Sequence, residues 1–333
     1  MDRHEARLRR SPFLMRDPAL NTYLTGLACK LGGDHCPDIR VYPVRTPYFN
    51  ASMAPNGMMQ IWSGLLLRVD NEAQLASVIG HEIGHYLERH SLLQLQDLRS
   101  RTAAMAIFAF LGGVGLIGQL ALAAGAPAFS RDQERDADRI GIALIRRGGW
   151  DAREAAKVWS QLRQELTAGA GGDPAKKSVM FATHPGADER QALLAELAGQ
   201  EGGVTHDEAF QRLMDPHLPM LIDDELKRAQ YEETITLMTR LHQRRPERGD
   251  LLYARGEARR LGGKVEETPA ALADFQSALQ LKSAPAQTYR AIGLIERQAG
   301  RKAEAVQAFE RYLREAPDAP DAALIQSFVK EST

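Results

Sequence analysis

From Thr102 to Ser130 the chain carries no charged side chain, and this segment, TAAMAIFAFLGGVGLIGQLALAAGAPAFS, exceeds the ~20 residues a helix needs to cross a bilayer. A single spanning helix is the first expectation for such a run. Gly112, Gly113, Gly115 and Gly118 interrupt it, however, and leave halves of only about ten residues, each too short to cross alone. A buried helical hairpin, or one dipping into a membrane surface, fits better. The remainder reads as ordinary globular sequence: 333 residues, 44% hydrophobic and 26% charged, are enough for a sizeable core. At ~150 residues per domain they suggest two domains, and they exclude disorder or a collagen-like repeat. Lys and Arg number 42 against 43 Asp and Glu, so the chain offers no general attraction to nucleic acid or an anionic bilayer, and no nucleic-acid partner is expected.

The opening residues, MDRHEARLRRSP, are charged and have no apolar stretch behind them, so no signal peptide is expected in this chain. That leaves either a cytosolic protein or one already trimmed. Cys29 and Cys36 fit one local disulfide in an oxidising compartment or two thiols in a reducing one, and with His35 they lack the second cluster of a zinc finger. Helical spacing runs from Asp17 to Leu31, and Ile39–Val44 is β-branched and strand-like. YFNASMA and MMQIWSG flank the turn Pro55-Asn56-Gly57, so a small β-sheet is expected here. Helical patterning resumes at Glu72 and continues through LASVIGHEIGHYLERHSLLQL, and a second helix is predicted from Arg131 to Arg147, ending at Gly148 and Gly149. Leu166–Ser178 reads as a loop, either a lid or a surface excursion.

His81-Glu82-Ile83-Gly84-His85 is an HExxH motif on a helical stretch. Residues i and i+4 differ by about 400° around a helix, so both imidazoles emerge on nearly the same face and can reach one zinc ion, with Glu82 beside them to take a proton from water. The bland alternative is a solvated, charge-rich turn. Against it stand the apolar Leu75, Val78 and Ile79, and Gly80 and Gly84, whose placement in a helix suggests close approach of another backbone or a substrate. A catalytic zinc wants a third protein ligand. Glu134 and Asp138, one turn apart, can supply it: Glu134 on the metal, Asp138 accepting the ring N–H of a ligand histidine. A common metal site also requires that segment 102–130 begin and end on the same side of any membrane.

HEIGH, then FSRDQERDADRIG about fifty residues later, then THPGADER, together resemble the zinc peptidase family of HtpX and the CAAX prenyl endopeptidases, most closely its soluble, TPR-bearing periplasmic members of the BepA type. The resemblance spans roughly Asp38 to Leu194. It implies His81, His85 and Glu134 as ligands of one zinc per chain, Glu82 as general base and Asp138 behind a ligand histidine. It also implies for His184 either an oxyanion donor or a fourth zinc ligand occluding the open position. Arg190 is expected to pair with a carboxylate near the site or to bind the oxyanion, and Gly186 departs from the family's frequent proline. The strands around NASMAPNGMMQIWSGLLL resemble the family's edge strand, where an extended peptide docks by strand addition. His90, His206, His217 and His242 lack ligand spacing and read as ordinary histidines.

From about Met214 a ~34-residue period matches helix-turn-helix TPR units. The clearest copy has Tyr289, Ile292, Gly293, Ala305, Phe309 and Pro317, and an earlier one Gly256, Ala271, Phe275 and Ala278, with Thr268 as N-cap before Pro269. A weaker copy runs through Leu218, Leu221, Met238, Leu241 and Pro246, with a capping helix at the C-terminus. The expected fold class is α+β, mostly α: a zincin-like metallopeptidase domain with a small β-sheet over 1–200, a linker over 201–214 and an all-α TPR-like domain over 215–333.

The implied function is zinc-dependent endoproteolysis of unfolded or misassembled protein segments in quality control of outer-membrane proteins, the TPR groove taking substrate or a partner from the assembly machinery. The implied setting is the Gram-negative periplasm, with Cys29 and Cys36 oxidised and peripheral membrane contact through 102–130; a cytoplasmic setting is the alternative. The rivals are a TPR scaffold or chaperone with an occluded zinc, a membrane-bound prenyl-protein peptidase and a structural zinc protein.

Overall fold

The computed structural model describes residues 1–93, 128–169 and 178–332. Nearly all of the uncharged segment, and residues 170–177 of the expected loop, lie outside the described residues; no described helix is long and apolar enough to cross a membrane. The chain divides into two compact units, Met1–Thr167 with Gly171–Leu221 and Ala168–Ala170 with Ile222–Thr333.

The first unit carries a three-stranded sheet in the order β1-β3-β2, with β1 at Arg40–Val44, β2 at Ala51–Met53 and β3 at Met58–Trp62. β1 runs parallel to β3 and β2 antiparallel to it, so Tyr42 and Ser52 both register against Gln60. Within the strand pair β3 is central and β2 lies at the edge of the sheet. Only β2 is paired on a single side among the described residues, because Leu14 bridges Val44 on the far side of β1. Helix Pro18–Gly32, capped by the Asp17 carboxylate, buries Leu20, Leu24 and Leu31. The structure joins Cys29 to Cys36 in a disulfide, linking the end of this helix to the short 3-10 turn Gly33–Asp38.

Helix Glu72–Leu87 starts where the Asn71 side chain accepts from the Gln74 N–H, and it is buried from Ala73 to His85. It stops sooner than its sequence pattern suggests, because Arg89 adopts the left-handed conformation (φ 55°) and breaks the helical path. Helix Arg131–Arg147 begins on a capping box, in which Ser130 and Gln133 satisfy each other's backbone N–H groups. The helix Glu154–Ala168 takes in the first residues of the expected loop, and Ser178 caps Val179–Thr183 at its far end.

The second unit is all helix. Tyr231–Arg244, Gly249–Gly262, Thr268–Ala278, Gln287–Gln298, Lys302–Glu315 and Ala322–Ser332 follow one another, each packing against its neighbour in sequence. The repeat has a packing cause: a Cβ at Gly256 would lie 2.7 Å from Phe275, and one at Gly293 2.4 Å from Phe309, so each aromatic ring seats on the bare backbone of the preceding helix. One detail differs from the sequence reading. Thr268 is the first helical residue rather than the N-cap, a position taken by Glu267 without a side-chain hydrogen bond, since the 3-10 turn Val265–Glu267 leads directly into the helix.

Candidate metal centre

The site is built on the contact between helices Glu72–Leu87 and Arg131–Arg147. Gly80 and Gly84 face Gly141 and Ala137; a Cβ at Gly84 would stand 2.8 Å from the Ala137 carbonyl oxygen, and one at Gly141 3.1 Å from the His81 nitrogen. The backbones therefore touch, and short side chains on one helix reach those on the other. The glycines flagged in the motif serve this approach. Gly84→Ala is expected to cost about 1–3 kcal/mol of stability by forcing the helices apart, measured by chemical denaturation.

Across this contact His81, His85 and Glu134 converge, and His184 joins them from the end of Val179–Thr183; all four are buried. His81 Nε2 lies 3.0 Å from His85 Nε2 and 3.3 Å from His184 Nδ1, while Glu134 Oε1 lies 3.0 Å from His184 Nδ1 and 3.4 Å from His85 Nε2. Four ligands at 2.0–2.1 Å from a tetrahedral ion stand about 3.4 Å apart, so the donor set fits zinc. The protonation logic agrees. His81 Nδ1 lies 2.9 Å from Asp138 Oδ1, a carboxylate placed to accept the ring N–H of a histidine whose Nε2 is turned toward the other ligands. Glu82 Oε1 is buried without a hydrogen-bond partner, its nearest charged neighbour being His184 Nε2 at 3.7 Å.

The electrostatics separate the carboxylates. Burial raises the Glu82 carboxyl above the ordinary glutamate range, against the pull of His184 and His81. Burial also opposes ionisation of Glu134, but His184, a hydrogen bond from His85 and the Arg190 guanidinium outweigh it and hold Glu134 well below that range. Asp138 is likewise lowered: burial acts against it, and Arg190 and His81 prevail. Burial lowers His85 well below the usual imidazole value and favours the neutral ring that a metal requires.

A family model for peptidase family M48 matches residues 15–198, more than half of the chain. The chain belongs to peptidase family M48. A tetratricopeptide repeat model matches residues 263–330. Among similar proteins, the beta-barrel assembly-enhancing protease of Yersinia pestis is 31% identical over 221 residues, covering 60% of this chain and 43% of that protein. The Escherichia coli (strain K12) protein of the same name is 28% identical over 216 residues, with the same coverage. The mitochondrial metalloendopeptidase OMA1 of Arabidopsis thaliana is 33% identical over 157 residues, 47% of this chain and 31% of that one. The chain thus spans less than half the length of these relatives.

In this M48 chain Arg190 lies between two carboxylates: Nε and Nη2 grip Asp138 at 2.8 and 2.6 Å, Nη1 lies at ion-pair distance, 2.8 Å, from Glu134 Oε2, and the guanidinium stacks 4.1 Å from the Trp159 ring centre. Gly186 has φ 83°, a conformation closed to proline, so the departure from the family's frequent residue goes with a left-handed turn leading into helix Ala187–Ala198. Two residues at the site escaped the sequence reading: Phe129, stacked on His85 at 3.9 Å, and His90, buried beside the same ring. The other three histidines passed over, His206, His217 and His242, are not among the converging ligands.

Proposed function

We propose that the chain is a zinc-dependent endopeptidase acting on unfolded or misassembled protein segments, in the periplasmic quality control of outer-membrane proteins. The observation that carries it is the convergence of His81, His85, Glu134 and His184 within reach of one ion, with Glu82 buried beside them. The names of the Yersinia and Escherichia relatives support the setting, and the Cys29–Cys36 disulfide suits an oxidising compartment. A zinc ion there would supply Lewis-acid polarisation of the scissile carbonyl and a more acidic water.

In this reading His81, His85 and Glu134 hold the metal, and Glu82 takes the proton of the attacking water and passes it to the leaving amine. Asp138 fixes the His81 ring. Arg190, with its donors on Asp138 and Glu134, positions the ligands and does not touch substrate. An extended segment pairs with the side of β2 that no strand covers among the described residues, which selects for chains with unmade backbone hydrogen bonds. The tetratricopeptide region takes up substrate or a partner from the outer-membrane assembly machinery, and segment 102–130 touches the membrane surface. The division into a peptidase domain over 1–200, a linker over 201–214 and a repeat domain over 215–333 belongs to the same proposal.

A second reading is favoured by one observation. His184 Nδ1 occupies the fourth corner of the ligand set, the place an open catalytic site keeps for water. The resting chain is then latent, and in the limit a scaffold or chaperone. Cleavage of casein by zinc-loaded protein, with and without His184→Ala, tests both. We expect low activity in the unaltered chain and a rise of about tenfold or more in the variant; zinc-loaded His184→Ala that cleaves nothing would favour the scaffold.

A further inference from the structure

We propose that His90 is a positioning residue for the metal centre: its Nδ1 accepts the Nδ1–H of His85 and so fixes the tautomer that turns His85 Nε2 toward the ion. This rests on the metal-site reading above and assigns a role to a histidine that ligand spacing had set aside. The two Nδ1 atoms are 3.0 Å apart, and both rings are buried. His85 Nε2 faces His81 Nε2 and Glu134, so with a metal held there Nδ1 is left to carry the ring proton, and a buried N–H needs an acceptor. His81 has Asp138 for this purpose. His85 has His90.

The backbone is shaped to bring this about. In an unbroken helix residue 90 would lie about 140° around the axis from residue 85, on another face. The helix instead ends at Leu87, and Arg89, a non-glycine residue at φ 55°, turns the chain back before His90. Left-handed backbone at such a residue is uncommon and persists where its surroundings hold it. Phe129 packs on the same pair, its ring stacked on His85 and 6.3 Å from that of His90. The two site histidines on the HExxH helix thus have different outer partners, a carboxylate behind His81 and a neutral imidazole behind His85.

The test is zinc affinity of the full-length chain by chelator competition. His90→Leu is expected to weaken binding about 10–100-fold, and His90→Asn, whose side-chain oxygen stands near the place of Nδ1, to recover most of the loss. His90→Leu binding as tightly as the unaltered chain, or His90→Asn as weakly as His90→Leu, would overturn the proposal. A measurement without substitution serves if either variant fails to fold. Long-range proton–nitrogen spectra of the zinc-loaded protein should show His90 protonated at Nε2 and bare at Nδ1; a proton on Nδ1 would refute the assignment. If the unaltered chain holds no zinc, the metal-site reading itself falls, an outcome distinct from zinc binding that is indifferent to His90.

Discussion

Glu82→Gln is expected to slow casein cleavage by about 10²–10⁴-fold while leaving bound zinc unchanged, whether measured in the unaltered chain or on a His184→Ala background. The substitution keeps shape and removes only the capacity to take a proton. Glu82 lies one residue from His81 on the same buried helix, and its Oε1 has no hydrogen-bond partner although no water reaches it from bulk. A buried carboxylate oxygen without a hydrogen bond costs stability. Burial also pushes its proton affinity above that of an ordinary glutamate, the direction that suits a group asked to accept a proton. Equal zinc content with equal cleavage in Glu82→Gln would exclude the residue as base and leave the proposed chemistry without a proton acceptor.

The parts of this site that were legible in the sequence are those encoded by helical period. His81 and His85 at i and i+4, and Glu134 and Asp138 at the same spacing on a second helix, define two faces, and the glycines at 80 and 84 announce that something must come close. The strands were legible because alternating apolar residues flank a Pro-Asn-Gly turn, but their order was not. β1 pairs with β3 in parallel across intervening chain, and local pattern carries no record of such a pairing, so the central place of β3 was not legible. His90 was hidden for the opposite reason. Its spacing from His85 is wrong for a continuing helix, and the left-handed Arg89 that corrects it has no signature of its own, unlike the glycine that usually takes such a turn.

Arg190→Met is expected to destabilise the metal-free chain by about 3–5 kcal/mol at neutral pH, as breaking a buried ion pair leaves uncompensated charge. Arg190 is buried and stands between two carboxylates, Asp138 and Glu134, which both lie below their ordinary pKa because of it and the histidines. The sign with pH follows. A carboxylate with a depressed folded pKa contributes stability above its unfolded pKa, and that contribution fades as the pH falls through the folded value. Without the guanidinium, burial pushes both carboxyls upward, so the variant's deficit should be largest at neutral and alkaline pH and should shrink in acid as the carboxyls take up protons. Added zinc supplies positive charge beside Glu134 but is separated from Asp138 by the His81 ring, so it should restore part of the loss and not all of it. Denaturation midpoints at several pH values, with and without zinc, measure this. A deficit that does not change with pH would mean that Arg190 acts through its packing on Trp159 rather than through the charges it separates.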